Sequence, residues 1–360
     1  MAQRTRYSQA TRLLVLLVAV ALNLAVAEYV VRDRMQKYHD TGILQRQHRV
    51  SRIAHITRFS DDPELVYELR PSLNTTFADA PLHTCSDGRR IADPSRPPDP
   101  VPTHWPERRI AIVGDSNGFG WGVTHDQTYF EILRRNLQQK YRVALEVRNY
   151  SVPGYNTLQE SLVFHRDVVP WKPDLVLWHY CRNDVHPIRR NSALTPEYGD
   201  NFLGSALWKT LARMRRHSIE EAMDPANRLL DGAIYRGPLY DGHMAALAKM
   251  AETAEQHDFP VAVFLFDTFF DGKRNRELYA RRFHRPLKNR FQKYGLPFLD
   301  LYQETLEVMA ERDWDDLKPW WISADRPWDL HANAEGQVFM AEELERFLGE
   351  QGCVRAALKR

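Results

Sequence analysis

The sequence predicts an α/β protein, a doubly wound parallel sheet with helices on both faces, set behind an apolar N-terminal transmembrane helix. Three observations predict it. Short apolar, β-branched runs recur along the chain. Segments with apolar residues at three- and four-residue steps separate them, and that alternation makes parallel strands with crossover helices. A basic N-terminus opens onto a long apolar stretch.

That N-terminal element comes first. Arg4, Arg6 and Arg12 precede the run Leu13 to Ala27, which is interrupted only by Asn23. Read on to Val31, the stretch has 19 residues, enough at roughly 1.5 Å per residue for a tilted membrane span. Basic residues before such a segment hold that end in the cytoplasm and send the remainder across. The expectation is a cytoplasmic N-terminus over 1–12, a signal anchor over 13–31 and an extracytoplasmic remainder. Ala25-Val26-Ala27 also fits the small-x-small site of a cleaved signal peptide. Release into the periplasm or medium after cleavage near Ala27 is therefore the alternative.

From Arg32 to Arg58 the chain carries seven Arg or Lys against two Asp. This reads as a solvated juxtamembrane helix. Residues 92–106 contain six prolines, which exclude an interior helix or central strand and predict an extended lead-in. No convincing strand stands between 71 and 108. Strands are then predicted at Arg109–Val113, Leu145–Val152, Leu175–Trp178, Val261–Phe266 and Pro297–Leu301. Helices are predicted at Gln127–Lys140, Leu158–Asp167, His243–His257 and Arg276–Tyr294. A last helix puts Val338, Ala341, Leu344 and Leu348 on one face. Residues 185–240 break the alternation and read as an insertion beside the site. The catalytic domain spans 107–352, and 353–360 read as a tail.

Composition excludes several classes. The 360 residues are 43% hydrophobic and 27% charged, which fits one large α/β core with appendages and rules out wholesale disorder. Basic residues number 49 against 47 acidic ones, so nothing points to nucleic acid as a partner. Cys85, Cys181 and Cys353 show no metal spacing and read as separate thiols. A Cys85–Cys353 bridge is the alternative in an oxidising compartment.

Ester hydrolysis needs a nucleophile, a base, a group that orients the base, and donors for an oxyanion. Ser116 follows the first predicted strand in Gly114-Asp115-Ser116, at the strand end where open α/β sheets bind ligands. His331 lies in Trp328-Asp329-Leu330-His331, just before the terminal helix. A histidine with a carboxylate two residues away suits a base held in one tautomer. Asn183 follows the third strand, and Gly154 follows the second. A side-chain amide or a backbone N–H at such a place can donate to an oxyanion. Taken singly, each of these is equally a turn or cap residue.

The four segments GDSNGFGWGV, NYSVPGYNT, CRNDV and DLHANAEG together resemble the four blocks of the SGNH, or GDSL-type, hydrolase family. The likeness is greatest to bacterial members with an N-terminal membrane segment. Asp62 to Pro71 (DPELVYELRP) resembles the segment such proteins carry before the first block. The resemblance implies a flavodoxin-like sheet of the SGNH hydrolase type, with Ser116 as nucleophile, His331 as base and Asp329 as orienter. It also implies an oxyanion hole from the Ser116 and Gly154 amides and the Asn183 side chain, with no cofactor and no metal. Asp115 and Trp328 are weaker candidates for touching substrate. Two departures stand out. Cys181 occupies a position where the family usually has glycine. The family's acid commonly lies three residues before the histidine, where this chain has Trp328, so Asp325 is held in reserve behind Asp329.

Three rivals remain open at this level. Gly114-x-Ser116-x-Gly118 also satisfies the nucleophile elbow of α/β-hydrolases, although that fold places several strands before its elbow. The same triad can pass an acyl group to a sugar if water is excluded from the acyl-enzyme, which would make the chain an O-acyltransferase. A catalytically silent glycan-binding module on the same fold is the third. Trp314, Trp320, Trp321 and Trp328 cluster in sequence before His331 and suggest stacking on sugar rings, against a plain packing role. Together with export, they point to an envelope carbohydrate bearing O-acyl, chiefly O-acetyl, esters. A lipid ester is the alternative small-molecule substrate, and no protein partner is implied.

Overall fold

Five parallel strands form the centre of an eight-stranded sheet whose order is β10-β9-β8-β6-β7-β5-β4-β3. The computed structural model describes residues 16–27, 29, 53–97, 99–185, 238–266, 283–315, 317–322 and 331–359. The parallel strands are β6 (Glu107–Gly114), β7 (Ala144–Asn149), β8 (Leu175–His179), β9 (Val261–Leu265) and β10 (Phe298–Asp300). The chain runs from β6 to β7 on one side, then crosses back to lay β8 on the other side of β6. The carboxyl end of β6 is therefore the point where the winding reverses, the usual place for a crevice in an open sheet.

Burial explains why these runs are strands. Every residue of β8 and β9 is buried, as expected of strands covered on both faces. Successive residues go to opposite cores. Ala111, Val113, Val176, Trp178 and Val263 join one apolar cluster, whereas Ile110, Ile112, Leu175, Leu177 and Phe264 join the other. The first cluster takes side chains from the helices Thr157–Val163, Pro238–Gln256 and Arg285–Lys293. The second takes them from Tyr129–Tyr141, Tyr302–Glu311, Ala334–Glu350 and Gly352–Lys359.

Several expectations need correction. The region from 71 to 108 does hold strands: β3 (Asn74–Phe77), β4 (Ala80–Thr84) and β5 (Arg90–Ile91) extend the sheet antiparallel beyond β7. The β3–β4 turn uses Ala78 and Asp79, both at positive φ (49° and 65°). Asn-Gly is the usual signal for such a turn, so the hairpin was hidden. The juxtamembrane helix does not reach Arg58. Its described end is a single turn, Ile53–His55, followed by β1 (Thr57–Phe59), which pairs antiparallel with β2 (Tyr67–Leu69). The lead-in over 92–106 carries no helix or strand among its described residues. Val338 is 40% exposed, because the buried face runs through Gln337, Met340, Ala341, Leu344 and Leu348. At about 100° per residue Val338 falls off that face. The tail is a helix, Gly352–Lys359, with Val354 and Leu358 buried in the second cluster.

Residues 16–27 are helical and expose Leu16, Leu17, Leu22 and Leu24. Among the described residues no helix is long and apolar enough to cross a membrane. The remainder of the span expected over 13–31, apart from Tyr29, lies outside the described residues, as does the insertion over 186–237.

Candidate active site

The nucleophile turn is set by two close approaches. A Cβ on Gly114 would come within 2.9 Å of the His179 carbonyl, and one on Gly118 within 2.5 Å of Ser151 Oγ. Between these glycines Asp115 caps the short helix Ser116–Phe119, its Oδ1 accepting from the Asn117 N–H at 2.8 Å. Gly120, at φ 78°, ends the turn, and the Trp121 N–H returns to the Ser116 carbonyl at 3.2 Å.

Ser116 Oγ and His331 Nε2 lie 2.8 Å apart across 215 positions of sequence. The loop bearing His331 is tied down on both sides. The Ile322 N–H donates to the His331 carbonyl at 3.0 Å, and the Asn333 N–H donates to the Trp320 carbonyl at 2.8 Å. The Asn333 side chain donates to the Pro319 and Trp321 carbonyls and caps the helix Ala334–Glu350. The Trp121 indole is stacked on the imidazole, with centroids 4.5 Å apart and planes 11° apart. Residues 323–330 are outside the described set, so Asp329, Trp328 and the reserve Asp325 have no described position.

Asp115 is the hub of the turn. It is buried, and its Oδ2 accepts from Asn183 Nδ2 at 3.0 Å and from Ser116 Oγ at 3.3 Å. With Oδ1 held by Asn117, both of its oxygens are engaged by the protein. That geometry suits an organiser of the turn better than the substrate contact expected for it. Asn183 sits on the turn Arg182–Val185, shaped by the Cys181 N–H donating to Asp184 Oδ2 at 2.8 Å. Cys181 is not idle: its Sγ accepts from Asn117 Nδ2 at 3.1 Å, joining the nucleophile turn to the Asn183 turn. Gly154 adopts φ 82°, and a Cβ there would meet Tyr67 Oη at 2.9 Å. Tyr67 donates to the Pro153 carbonyl at 3.0 Å, and Tyr155 donates to the Tyr67 carbonyl at 2.5 Å. The Gly154 loop is thus seated on β2.

The ground beneath the site is buried and polar. Glu160 accepts from Trp178 Nε1 at 2.9 Å. Burial, with the Asp115 charge adding to it, pushes its carboxyl well above the usual carboxylate range. Asp184 is raised likewise by burial and by the neighbouring Glu160 and Asp115. Burial drives His179 down to about 3, so it is a neutral ring in the core. Among the described residues no three His, Cys, Asp or Glu side chains are grouped to hold a metal ion.

Sequence reasoning missed Trp121. The only signal was its place five residues after Ser116, in a loop where no periodicity speaks. Trp320 and Trp321 are buried, and Trp320 stacks on Phe339 and meets Trp314 edge-on. These rings are core packing, which removes them as sugar platforms.

A serine hydroxyl bonded to an imidazole, at the switch point of a doubly wound sheet, defines the class of the serine hydrolases. Residues 112–338 match the GDSL-like lipase/acylhydrolase family, and the chain belongs to that family, as an ester-hydrolysing serine hydrolase. Three solved structures are similar. An acetyl xylan esterase, AlAXEase, is 13% identical with a TM-score of 0.41, over 66% of this chain and 97% of that one. A putative lipolytic protein of the G-D-S-L family from Desulfitobacterium hafniense DCB-2 is 14% identical with a TM-score of 0.40, over 66% and 98%. A catalytic mutant of Axe2, an acetylxylan esterase from Geobacillus stearothermophilus, is 16% identical with a TM-score of 0.42, over 69% and 96%. No curated protein sequence matches the chain.

Proposed function

We propose that this protein is a membrane-anchored, extracytoplasmic serine esterase that removes O-acyl groups, chiefly acetyl, from envelope carbohydrate. The observation that carries the reading is the 2.8 Å contact between Ser116 Oγ and His331 Nε2.

In this mechanism Ser116 Oγ attacks the ester carbonyl carbon while His331 Nε2 takes its proton. The oxyanion of the tetrahedral intermediate is met by the Ser116 and Gly154 N–H groups and by the Asn183 amide. That amide has two N–H donors. One is spent on Asp115 Oδ2 and the other serves the oxyanion. The intermediate collapses as His331 returns the proton to the sugar oxygen, which leaves as an alcohol. Water then attacks the acyl-enzyme, again giving its proton to His331, and the acid departs. Asp329 holds the imidazole in the tautomer that keeps Nε2 facing the serine. The apolar run Leu13 to Val31 after three arginines supports export and anchoring. That location, among envelope polysaccharides, is what favours a carbohydrate ester over a lipid ester.

The test is labelling of the full chain with a fluorophosphonate serine probe, followed by turnover of aryl acetates and acetylated envelope glycans. Labelling lost in Ser116→Ala, and turnover reduced by about three orders of magnitude or more in Ser116→Ala and His331→Ala, is the expected result. A parent chain that is not labelled at Ser116 would sink the esterase reading. Equal turnover of aryl acetates with no gain on acetylated glycans would sink the carbohydrate assignment. Acetyl appearing on an added sugar, with little free acetate, would make the chain a transferase.

A further inference from the structure

We propose that Arg90, carried by the antiparallel extension of the sheet, is a positioning residue for the catalytic histidine and acts through Trp121. The proposal rests on the esterase reading of Ser116 and His331.

Arg90 is buried, and no carboxylate among the described residues forms an ion pair with it. Burying a guanidinium without a counter-ion is unfavourable unless hydrogen bonds replace its water. Here they do. Nη1 donates to the Phe119 carbonyl at 2.8 Å and to the Gly120 carbonyl at 2.5 Å, and Nη2 donates to the Val123 carbonyl at 2.5 Å. The guanidinium also lies 5.0 Å from the centroid of the Phe119 ring, a favourable place for a cation. Burial pulls its pKa down to about 10, which leaves it charged at neutral pH.

The three carbonyls bracket Trp121. They belong to the end of the nucleophile turn and the loop after it, where carbonyl groups have no helical partner and a cation complements the local dipoles. Asn149 Nδ2 holds the preceding Gly118 carbonyl at 2.9 Å, so the backbone is gripped from 118 to 123. Trp121 has one further support, the Phe77 ring, edge-on at 4.7 Å. Its face is the surface on which the His331 imidazole lies. Phe77 from β3 and Arg90 from β5 both precede residue 112, where the family match begins. A segment outside that match therefore sets the plane of the base.

The experiment uses the full chain in detergent, with Arg90→Met, Arg90→Lys, Trp121→Ala and the double variant Arg90→Met/Trp121→Ala. Competent sites are counted by stoichiometric fluorophosphonate labelling of Ser116, and kcat per labelled site and KM are read with an aryl acetate. Displacing a catalytic group by about 1 Å lowers rates about a hundredfold. Arg90→Met is expected to lower kcat per site by about thirty- to a hundredfold with KM within about twofold. Arg90→Lys, which keeps the charge and part of the hydrogen bonding, recovers most of that loss. In the Trp121→Ala background Arg90→Met adds less than about threefold, because both changes remove one connection. Counting sites confines the comparison to folded protein, and Arg90→Lys carries the test if Arg90→Met folds poorly. Unchanged kcat per site in Arg90→Met, or losses that multiply in the double variant, would overturn the proposal. Those results would leave the esterase reading standing, whereas an unlabelled parent would remove that reading first.

Discussion

Gly118→Ala offers the sharpest test of how the nucleophile turn is held. The new Cβ would stand 2.5 Å from Ser151 Oγ, 3.1 Å from Ser151 Cβ and 3.5 Å from His179 Cβ. An unstrained carbon–oxygen contact is about 3.3 Å or longer, so the pair must separate by roughly 0.8 Å. Rotating the Ser151 hydroxyl relieves the oxygen and leaves the 3.1 Å carbon contact, so the turn itself must still retreat. Ser116 is two residues away, and its 2.8 Å bond to His331 lengthens with that retreat. The expected loss in kcat is about ten- to a hundredfold, equivalent to about 1.4 to 2.7 kcal/mol. Second-site changes turn this into a graded series. Gly118→Ala/Ser151→Ala keeps the carbon contact and should recover in part. Gly118→Ala/Ser151→Gly leaves only the ordinary 3.5 Å contact and should approach Ser151→Gly alone. Ser151 Oγ has no hydrogen-bond partner, so removing it takes no bond from the loop. Aryl acetate hydrolysis, corrected for active sites by fluorophosphonate labelling, reads all four variants. Full activity in Gly118→Ala, or no recovery with Ser151→Gly, would refute the packing argument.

Other outcomes follow from the buried groups and the assigned roles. His179 is held neutral by burial, down to about 3 from an ordinary 6.5. The unfolded chain therefore binds a proton that the folded chain refuses, and the stability involved, at most about 5 kcal/mol, is present above pH 6.5 and lost as pH falls towards 3. Neither ring nitrogen has a hydrogen-bond partner, so His179→Phe should flatten the fall of the urea midpoint between pH 6.5 and 4, and an unchanged slope would count against this. Glu160 has the opposite sign, because its raised carboxyl keeps a proton that the unfolded chain releases above about 4.5. Stability is present below that value and declines as pH rises, so Glu160→Gln, whose amide oxygen still accepts from Trp178, should raise Tm more at pH 9 than at pH 5. An equal shift at both pH values would show that burial of the carboxyl is not the cause. Asn183→Ala should lower kcat about a hundredfold with KM little changed if the amide serves the oxyanion, and a tenfold rise in KM at constant kcat would contradict it. Asp329→Asn should lower kcat by about a thousandfold or more if it orients the base, and Asp325→Asn should not; the reverse pattern would transfer the role to Asp325.

Much of the parallel core was legible because it is locally written. β8 and β9 are continuous apolar runs, and such runs between helical patterns have few other folds available. Ser116, Gly154 and Asn183 were legible for a related reason: each directly follows a strand, and strand ends are where an open sheet collects its site. The antiparallel extension was not legible. Its strands are short, polar or proline-bearing, and its hairpin turn is Ala-Asp. Trp121 escaped as well, since its partners Arg90, Phe77 and His331 come from three separate stretches of chain. The tryptophans before His331 were the converse case, where local crowding suggested a surface and burial made them core.

By itself, the sequence determined the alternation of strands and helices, the residue types available for acyl transfer, and the order in which the sheet would present them. Those features depend on spacing within ten or so residues, which the chain carries wherever it goes. Only the tertiary structure decided that a hydroxyl and an imidazole 215 positions apart meet, that Asp115 turns inward, and that an arginine from an appended strand grips the loop behind the base. Contacts of that kind depend on how distant segments close around one another, and that closure is set by the summed burial of the whole core, not by any one stretch of it.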